Sequence, residues 1–129
     1  SDPLALERAE FGVVFGGDIQ DREVIALELD PRRQELGLRV TFREPLPRAV
    51  RVSWELEKPT TQRAADGGML YAAELGERRA QSGERRMEAR LAFRSSDGPG
   101  TWRVRVRVDG RVVHERTFEV VDPRVKDAG

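Results

Sequence analysis

The chain has 129 residues, of which 23 are basic and 23 acidic, and a length of this order suits a single domain. Because the formal net charge is zero, no overall field attracts the protein to nucleic acid or to an anionic membrane. The absence of cysteine excludes disulfides, thiolate catalysis and thiolate metal sites, and no stretch approaches the ~20 apolar residues that cross a bilayer.

The first third of the chain contains three predicted strands. Residues 1–9 are expected to form a tail or linker. Apolar clusters follow at 11–15 and 24–29, and the first of them ends at Gly16-Gly17-Asp18, a sequence typical of a turn. Residues 38–42 alternate strictly between apolar and polar side chains. A period of two indicates a strand with one buried face.

The middle third predicts three more strands. Residues 50–56 and 87–93 alternate in the same way, and 69–75 is a further candidate. The stretches 60–68 and 76–86 are the longest without a pattern. Their mixed charge and their glycines favour exposed loops.

The last third carries the clearest local signal. Residues 102–108 alternate strictly, and Asp109-Gly110 then predicts a tight hairpin, because glycine accepts the positive φ that such a turn demands. The strand 112–121 should therefore return beside 102–108. Residues 122–129 are expected to be a C-terminal tail.

These segments together predict the fold class. Strands with one apolar face must bury it against a second sheet. We therefore expect an all-β fold: a two-sheet antiparallel β-sandwich of about seven to eight strands, spanning residues 10–121.

Two tryptophans give this fold a resemblance to a known group of domains. Trp54 lies in the strand 50–56, and Trp102 opens the strand 102–108 after the turn Asp97-Gly98-Pro99-Gly100. Both placements resemble immunoglobulin-like and fibronectin type III-like β-sandwich domains of bacterial type. In those domains a core tryptophan occupies the third strand, and an aromatic residue follows such a turn. The chain departs from antibody-type domains in having no cysteine, and Trp102 lacks the hydroxyl of a tyrosine corner.

The resemblance implies an architecture, which hosts many functions. The sequence shows no nucleophile elbow, phosphate loop or metal signature. We therefore expect a non-catalytic module without cofactors, which mediates protein–protein contact or serves as a structural domain of a larger bacterial protein, such as an envelope or secretion-related one. Its partner would be another protein or a neighbouring domain and not nucleic acid. The resemblance slightly favours the cell envelope or the extracellular space.

The candidate partner-binding residues are three arginines in the strand 102–108. If Trp102 and the valines face the core, the pleat places Arg103, Arg105 and Arg107 on the outer face, roughly 7 Å apart in succession. This arginine ladder is either a contact for an acidic protein surface or a solvated face neutralised by glutamates on neighbouring strands. Arg39, Arg51 and Arg90 would broaden it if their strands belonged to the same sheet. The lack of interleaved aromatics disfavours nucleic acid.

Two other kinds of site have ordinary explanations. His114 is the only histidine, and no nucleophile or orienting partner for it is evident, so we expect it to be polar surface. Asp18, Asp21 and Asp30 could contribute to a calcium site, but the sequence has no EF-hand spacing, and turn formation accounts for them.

Two alternative functions make different predictions. A carbohydrate-binding domain would expose aromatic side chains, above all Trp54 and Trp102, on one face. An oligomer built through an edge strand would require an unguarded edge, whereas the strand 111–121 carries charges that guard it, namely Arg111, Glu115, Arg116 and Glu119.

Overall fold

The computed structural model describes residues 3–26, 35–92 and 98–122 of the chain. These ranges form nine strands: β1 (Leu6–Phe15), β2 (Asp18–Asp21), β3 (Val24–Ala26), β4 (Glu35–Phe42), β5 (Val50–Arg63), β6 (Met69–Ala80), β7 (Arg86–Ala92), β8 (Gly100–Val108) and β9 (Arg111–Val121). None of this part of the chain forms a helix that could span a membrane.

The strands form the predicted two-sheet β-sandwich. One sheet has four strands in the order β2-β1-β4-β7, and the other has five in the order β3-β9-β8-β5-β6. All pairs are antiparallel except β3 with β9, which run parallel over three residue pairs. Nine strands are found where seven or eight were expected, because β2 occupies a segment that the sequence assigned partly to a turn.

The core lies between the sheets and follows the alternation in the sequence. Along β8 the side chains of Trp102, Val104 and Val106 are fully buried, while the arginines between them are partly exposed. Leu36, Leu38, Val40 and Phe42 of β4 oppose them from the other sheet. Each such side chain contributes roughly 1.5–3 kcal/mol when it is removed from water. The strict period of two therefore predicts the inward face correctly.

The hairpin between β8 and β9 is confirmed. Asp109 and Gly110 both have positive φ, 50° and 86°, as a type I′ turn requires, and aspartate tolerates this region better than most residues. Asp109 also connects the hairpin to β5. Its Oδ1 accepts the Arg51 backbone N–H at 2.9 Å, and its Oδ2 accepts a bond from Arg48 Nη1 at 2.7 Å.

The second hairpin is longer than the sequence predicted. The segments 60–68 and 76–86 were expected to be loops, but β5 continues to Arg63 and β6 continues to Ala80. The carbonyl of Pro59 accepts a bond from the Gly98 N–H and therefore points away from β6. The nitrogen of a strand residue points to the same side as its carbonyl, so the missing N–H of Pro59 removes no hydrogen bond between β5 and β6. Most of β6 is exposed on both faces, and this is why it shows no alternation.

The N-terminal boundary of the predicted domain shifts. β1 begins at Leu6, inside the segment 1–9 that the sequence assigned to a tail, because Leu6 pairs with Phe42 of β4 and packs against the core. The strand expected at 24–29 is described only as far as Ala26. The turn residues Asp30 and Asp97, the end of the strand 87–93 and the tail from 123 onward lie outside the described residues.

Candidate partner-binding surface

The arginine ladder lies on the outer face of the five-stranded sheet, where the pleat was expected to place it. The neighbouring strands supply a carboxylate to each arginine. Arg103 contacts Glu57 at 2.7 Å, Arg105 contacts Glu115 at 2.8 Å and Arg107 contacts Glu55 at 3.6 Å. Weaker contacts of 3.9–4.0 Å link Arg103 to Glu115 and Arg105 to Glu55. The glutamates of β5 and β9 thus enclose the arginines of β8 on both sides.

These contacts neutralise the ladder locally. The hydrogen bond from Arg105 lowers the pKa of Glu115, and the same bond raises the pKa of Arg105. All members are partly solvated, so each pair contributes only about 0–1 kcal/mol to stability. The outer face is therefore a lattice of opposite charges, which gives a polyanion no uniform field to bind.

Of the three other arginines that could broaden the ladder, only Arg51 shares its sheet. Arg51 lies on β5 of the same sheet, but Arg39 and Arg90 belong to β4 and β7 of the other sheet. Arg39 is bonded to Asp18 at 2.6 Å and to Glu88 at 2.9 Å. Arg39 and Arg90 are therefore separated from the ladder by the order of the strands in the sheets, which the alternation of residues does not reveal.

A row of exposed apolar side chains on β6 adjoins the ladder. Met69, Leu70, Tyr71 and Leu75 are 40%, 39%, 57% and 72% exposed. The register of β6 with β5 places Tyr71, Ala73 and Leu75 opposite Pro59, Glu57 and Glu55, on the same outer face as the arginines. We call Tyr71, Ala73 and Leu75 the β6 row. The sequence predicted a strand here, and its lack of alternation is consistent with a strand that is mostly exposed.

Leu75 and Arg107 meet at one depression of the outer face. Its volume is about 430 Å³, and Ser53, Trp54, Gly76 and Glu77 complete the lining. The closest carboxylate to Arg107 in the described part of the chain is that of Glu55, at 3.6 Å. Because this contact is long, the guanidinium remains available beside the most exposed leucine of the described residues. The predicted arginine and the unpredicted β6 row therefore belong to one surface.

The two tryptophans lie below this surface, in the core. Trp54 is 9% exposed and Trp102 is fully buried. The Trp102 indole N–H donates to the Gly98 carbonyl at 2.9 Å, so it supplies from an indole the upstream backbone bond that a tyrosine corner makes from a hydroxyl. Neither ring offers a face to a sugar, so the carbohydrate alternative loses the exposed tryptophans that it requires.

The histidine and the aspartates hold no metal cluster in the part of the chain that the structure describes, where no group of three potential ligands occurs. Asp21 accepts bonds from the Phe11 backbone N–H at 2.9 Å and from Arg116 Nη1 at 2.8 Å, and Asp18 is bonded to Arg39. Burial lowers the pKa of His114, and the nearby positive charge of Arg116 lowers it further, while Asp21 acts in the opposite direction.

Arg116 has a structural role that the sequence did not predict. It was expected to guard an exposed edge, but it lies opposite the buried Val104. Its Nη2 donates to the carbonyls of Phe11 and Arg22 at 3.0 and 2.7 Å, so it connects β9 to the other sheet. Arg116 lies two residues before the buried Phe118, and this spacing was the signal in the sequence that its side chain points inward.

The two sheets, their core tryptophans and the closing hairpin define an immunoglobulin-like β-sandwich. No protein-family model and no curated protein matches the sequence. Among solved structures, an immunoglobulin-like protein from Pseudomonas aeruginosa is similar over 91% of this chain and 95% of its own, with a TM-score of 0.59 and 18% identity. At that identity the likeness shows the fold alone.

A weaker likeness involves a larger protein. An alkylpurine DNA glycosylase, AlkC, from Pseudomonas fluorescens, solved bound to DNA containing an abasic site analogue, aligns with 87% of this chain at 18% identity and a TM-score of 0.41. The alignment covers 30% of the glycosylase chain. A superposition of this quality carries no argument about function.

Proposed function

We propose that this immunoglobulin-like domain is a non-catalytic module that acts by protein–protein contact, with the β6 row and its strand as the contact site. One observation carries the proposal. Four of the eight large apolar side chains that are exposed among the described residues lie on the single strand β6, and two of them, Tyr71 and Leu75, share its outer face. Clustered exposed apolar groups mark interaction sites far better than scattered ones do.

The composition of the surface supports a protein partner. Tyrosine and arginine are enriched at protein interfaces, and Tyr71 and Arg107 flank Leu75 on the outer face. The arginine ladder would form the polar rim, where its alternating charges set orientation more than affinity. Its neutralisation by Glu55, Glu57 and Glu115 favours a protein over a polyanion.

Site-specific photo-crosslinking tests this proposal. A photo-reactive residue replaces Leu75 in the full natural protein within its own cells, and a control replaces Phe15, which is 71% exposed at the end of β1. We expect a discrete adduct with a protein only from position 75. The adducted protein is then purified, and Tyr71→Ser should weaken its binding about tenfold or more.

Two outcomes would contradict the proposal. Equal adducts from positions 75 and 15 would show that exposure alone decides crosslinking. Binding of the purified partner that Tyr71→Ser leaves unchanged would place the contact site elsewhere.

A further inference from the structure

The long strand β6 is the terminal strand of the five-stranded sheet. Among the described residues no strand pairs beyond it, and its 12 residues contain neither proline nor lysine. Of its four charged side chains, Glu74 is bonded to Lys58 and Arg78 to the Glu88 carbonyl, so both are held within the protomer. An edge of this length presents a row of backbone donors and acceptors to any extended segment. The side chains of β6 then decide which segment fits.

The other edges are short or partly occupied. β2 and β3 have four and three residues. On β7, which lies at the end of the other sheet, Arg78 donates to the backbone carbonyl of Glu88 and so occupies part of that edge. On β9, β3 covers Glu119 to Val121, and Arg116 connects the strand to β1 and to Arg22.

We propose that the occupant of the β6 edge is a second copy of this chain, with the two β6 strands paired antiparallel about a two-fold axis at Leu75. The inference rests on the proposed function, since it names the partner of the same site. Continuation of one sheet across such an axis keeps each face on its own side, so opposite residues have the same parity. The possible registers can therefore be compared one by one.

Several other positions of the two-fold axis give a poorer pairing of the two strands. An axis at Glu74, Glu77 or Arg78 places each of these side chains opposite its own copy, and like charges directly opposite destabilise a pair. An axis at Gly76 is unfavourable because it places the apolar Leu75 opposite the carboxylate of Glu77 of the second copy. An axis at Ala73 leaves the end of β6, from Arg78 to Ala80, unpaired.

An axis at Leu75 avoids all of these faults. The most exposed large apolar side chain of the described residues then packs against its own copy, and pairing extends from Leu70 to Ala80, almost the whole strand. Tyr71 faces Arg79 of the second copy, in a cation–π arrangement made twice. Ala73 faces Glu77 of the second copy, so no carboxylate opposes a carboxylate and no guanidinium opposes a guanidinium.

The inner face of the paired strands is compatible with the same register. Glu74 lies opposite Gly76 of the second copy, and Ala72 lies opposite Arg78 of the second copy. The bond of Glu74 to Lys58, at 3.0 Å, lies within one protomer and is retained. Because a single pair of strands buries little surface, the association should be weak and concentration-dependent.

Cysteine crosslinking tests both the dimer and its register, since the natural chain has no cysteine to interfere. In Leu75→Cys the two thiols meet at the axis, within the roughly 4.4–6.8 Å between Cα atoms that a disulfide needs, and mild oxidation should give a covalent dimer. In Ala73→Cys the thiols lie four residues apart along the paired strands, about 13 Å, and should not bond. Phe15→Cys measures random collision.

Sedimentation over a concentration series supplies an independent measurement. The natural protein should associate reversibly, and Leu75→Glu, which places two carboxylates at the axis, should raise the dissociation constant about tenfold or more. Val121→Glu is the matched control, since Val121 is 43% exposed on the same sheet but lies at the end of β9, away from β6 and from Arg107, and it should associate normally. Tryptophan fluorescence confirms that each variant is folded.

The outcomes separate this inference from the proposed function. A covalent dimer of Leu75→Cys but not of Ala73→Cys or Phe15→Cys, together with reversible association, would support self-pairing. A monomer at every concentration, or a covalent dimer of Ala73→Cys in place of Leu75→Cys, would overturn it. If the protein is monomeric but position 75 still crosslinks to a different protein, the proposed function stands and the self-pairing fails.

Discussion

The indole ring of Trp54 lies directly over Gly76 of the neighbouring strand. A Cβ built at Gly76 would approach the ring atoms Cε2 and Cζ2 to 2.4 Å, far inside van der Waals contact. Glycine is therefore required at this position because a buried ring fills the space above it, and β6 keeps its place in the sheet only while that space remains.

We predict that Gly76→Ala lowers the free energy of unfolding by about 1–3 kcal/mol, because the added methyl group must displace the packed ring. Urea denaturation followed by tryptophan fluorescence measures the change. The double variant with Trp54→Leu should cost clearly less than the sum of the two single variants, since the obstructing ring is gone. Additive costs would mean that the ring does not explain the glycine.

A second prediction concerns the arginine ladder. Replacing Arg103, Arg105 and Arg107 together by glutamine should lower the free energy of unfolding by about 0–1 kcal/mol per ion pair, because the pairs are partly solvated. Denaturation in low salt and in about 1 M salt measures this, and the difference from the natural protein should shrink in high salt.

Charge reversal is the control for that experiment. Glutamate at the same three positions would face Glu55, Glu57 and Glu115, and like charges opposite each other should cost more stability than the glutamine variant does. Partner binding is therefore best examined with glutamine. If reversal were no more costly than neutralisation, the ion pairs would not form in solution.

Trp102→Phe should destabilise the protein by about 2–4 kcal/mol, because it leaves the buried Gly98 carbonyl without its 2.9 Å bond and removes packed volume. Trp54→Phe is the matched control. It removes the same atoms, but the Trp54 indole N–H has no hydrogen-bond partner in the described part of the chain. Chemical denaturation of both should show the greater loss at position 102, and equal losses would assign the whole effect to volume.

The hairpin aspartate predicts a pH effect. The Arg51 backbone N–H and the Arg48 side chain lower the pKa of Asp109 in the folded state. A lowered pKa in the folded state gives stability that is present above the ordinary pKa of about 3.9 and is lost as pH falls through the folded value. Asp109→Asn should therefore be less stable than the natural protein at about pH 7.

The advantage of the natural aspartate should shrink as the pH falls below about 4. Asparagine is a suitable replacement because it tolerates the positive φ of 50° and keeps an oxygen for the Arg51 N–H. Thermal unfolding from about pH 2 to about pH 7 measures the difference. A difference that stayed constant over that range would show that the charge of Asp109 contributes nothing.

The strands β8 and β6 show why parts of this fold were predictable from the sequence and others were not. In β8 one face is covered by the opposite sheet, so burial requires an apolar residue at every second position and the pattern appears in the sequence. In β6 the outer face is open and the inner face is covered only in part, so burial selects few positions, and the strand continues through residues that resemble a charged loop. Arg116 shows the same limit, because an inward position at an edge can hold a cation that bonds to carbonyls.

The sequence by itself determined the all-β class, the inward face of each alternating strand and the hairpin at Asp109-Gly110, because these depend on side-chain parity and backbone φ over a few neighbouring residues. Only the tertiary structure decided that β6 lies at the edge, that Leu75 shares a depression with Arg107, and that glutamates of β5 and β9 neutralise the arginines. Sheet order and register arise from pairing between segments far apart in the chain. No local pattern records which segments will meet.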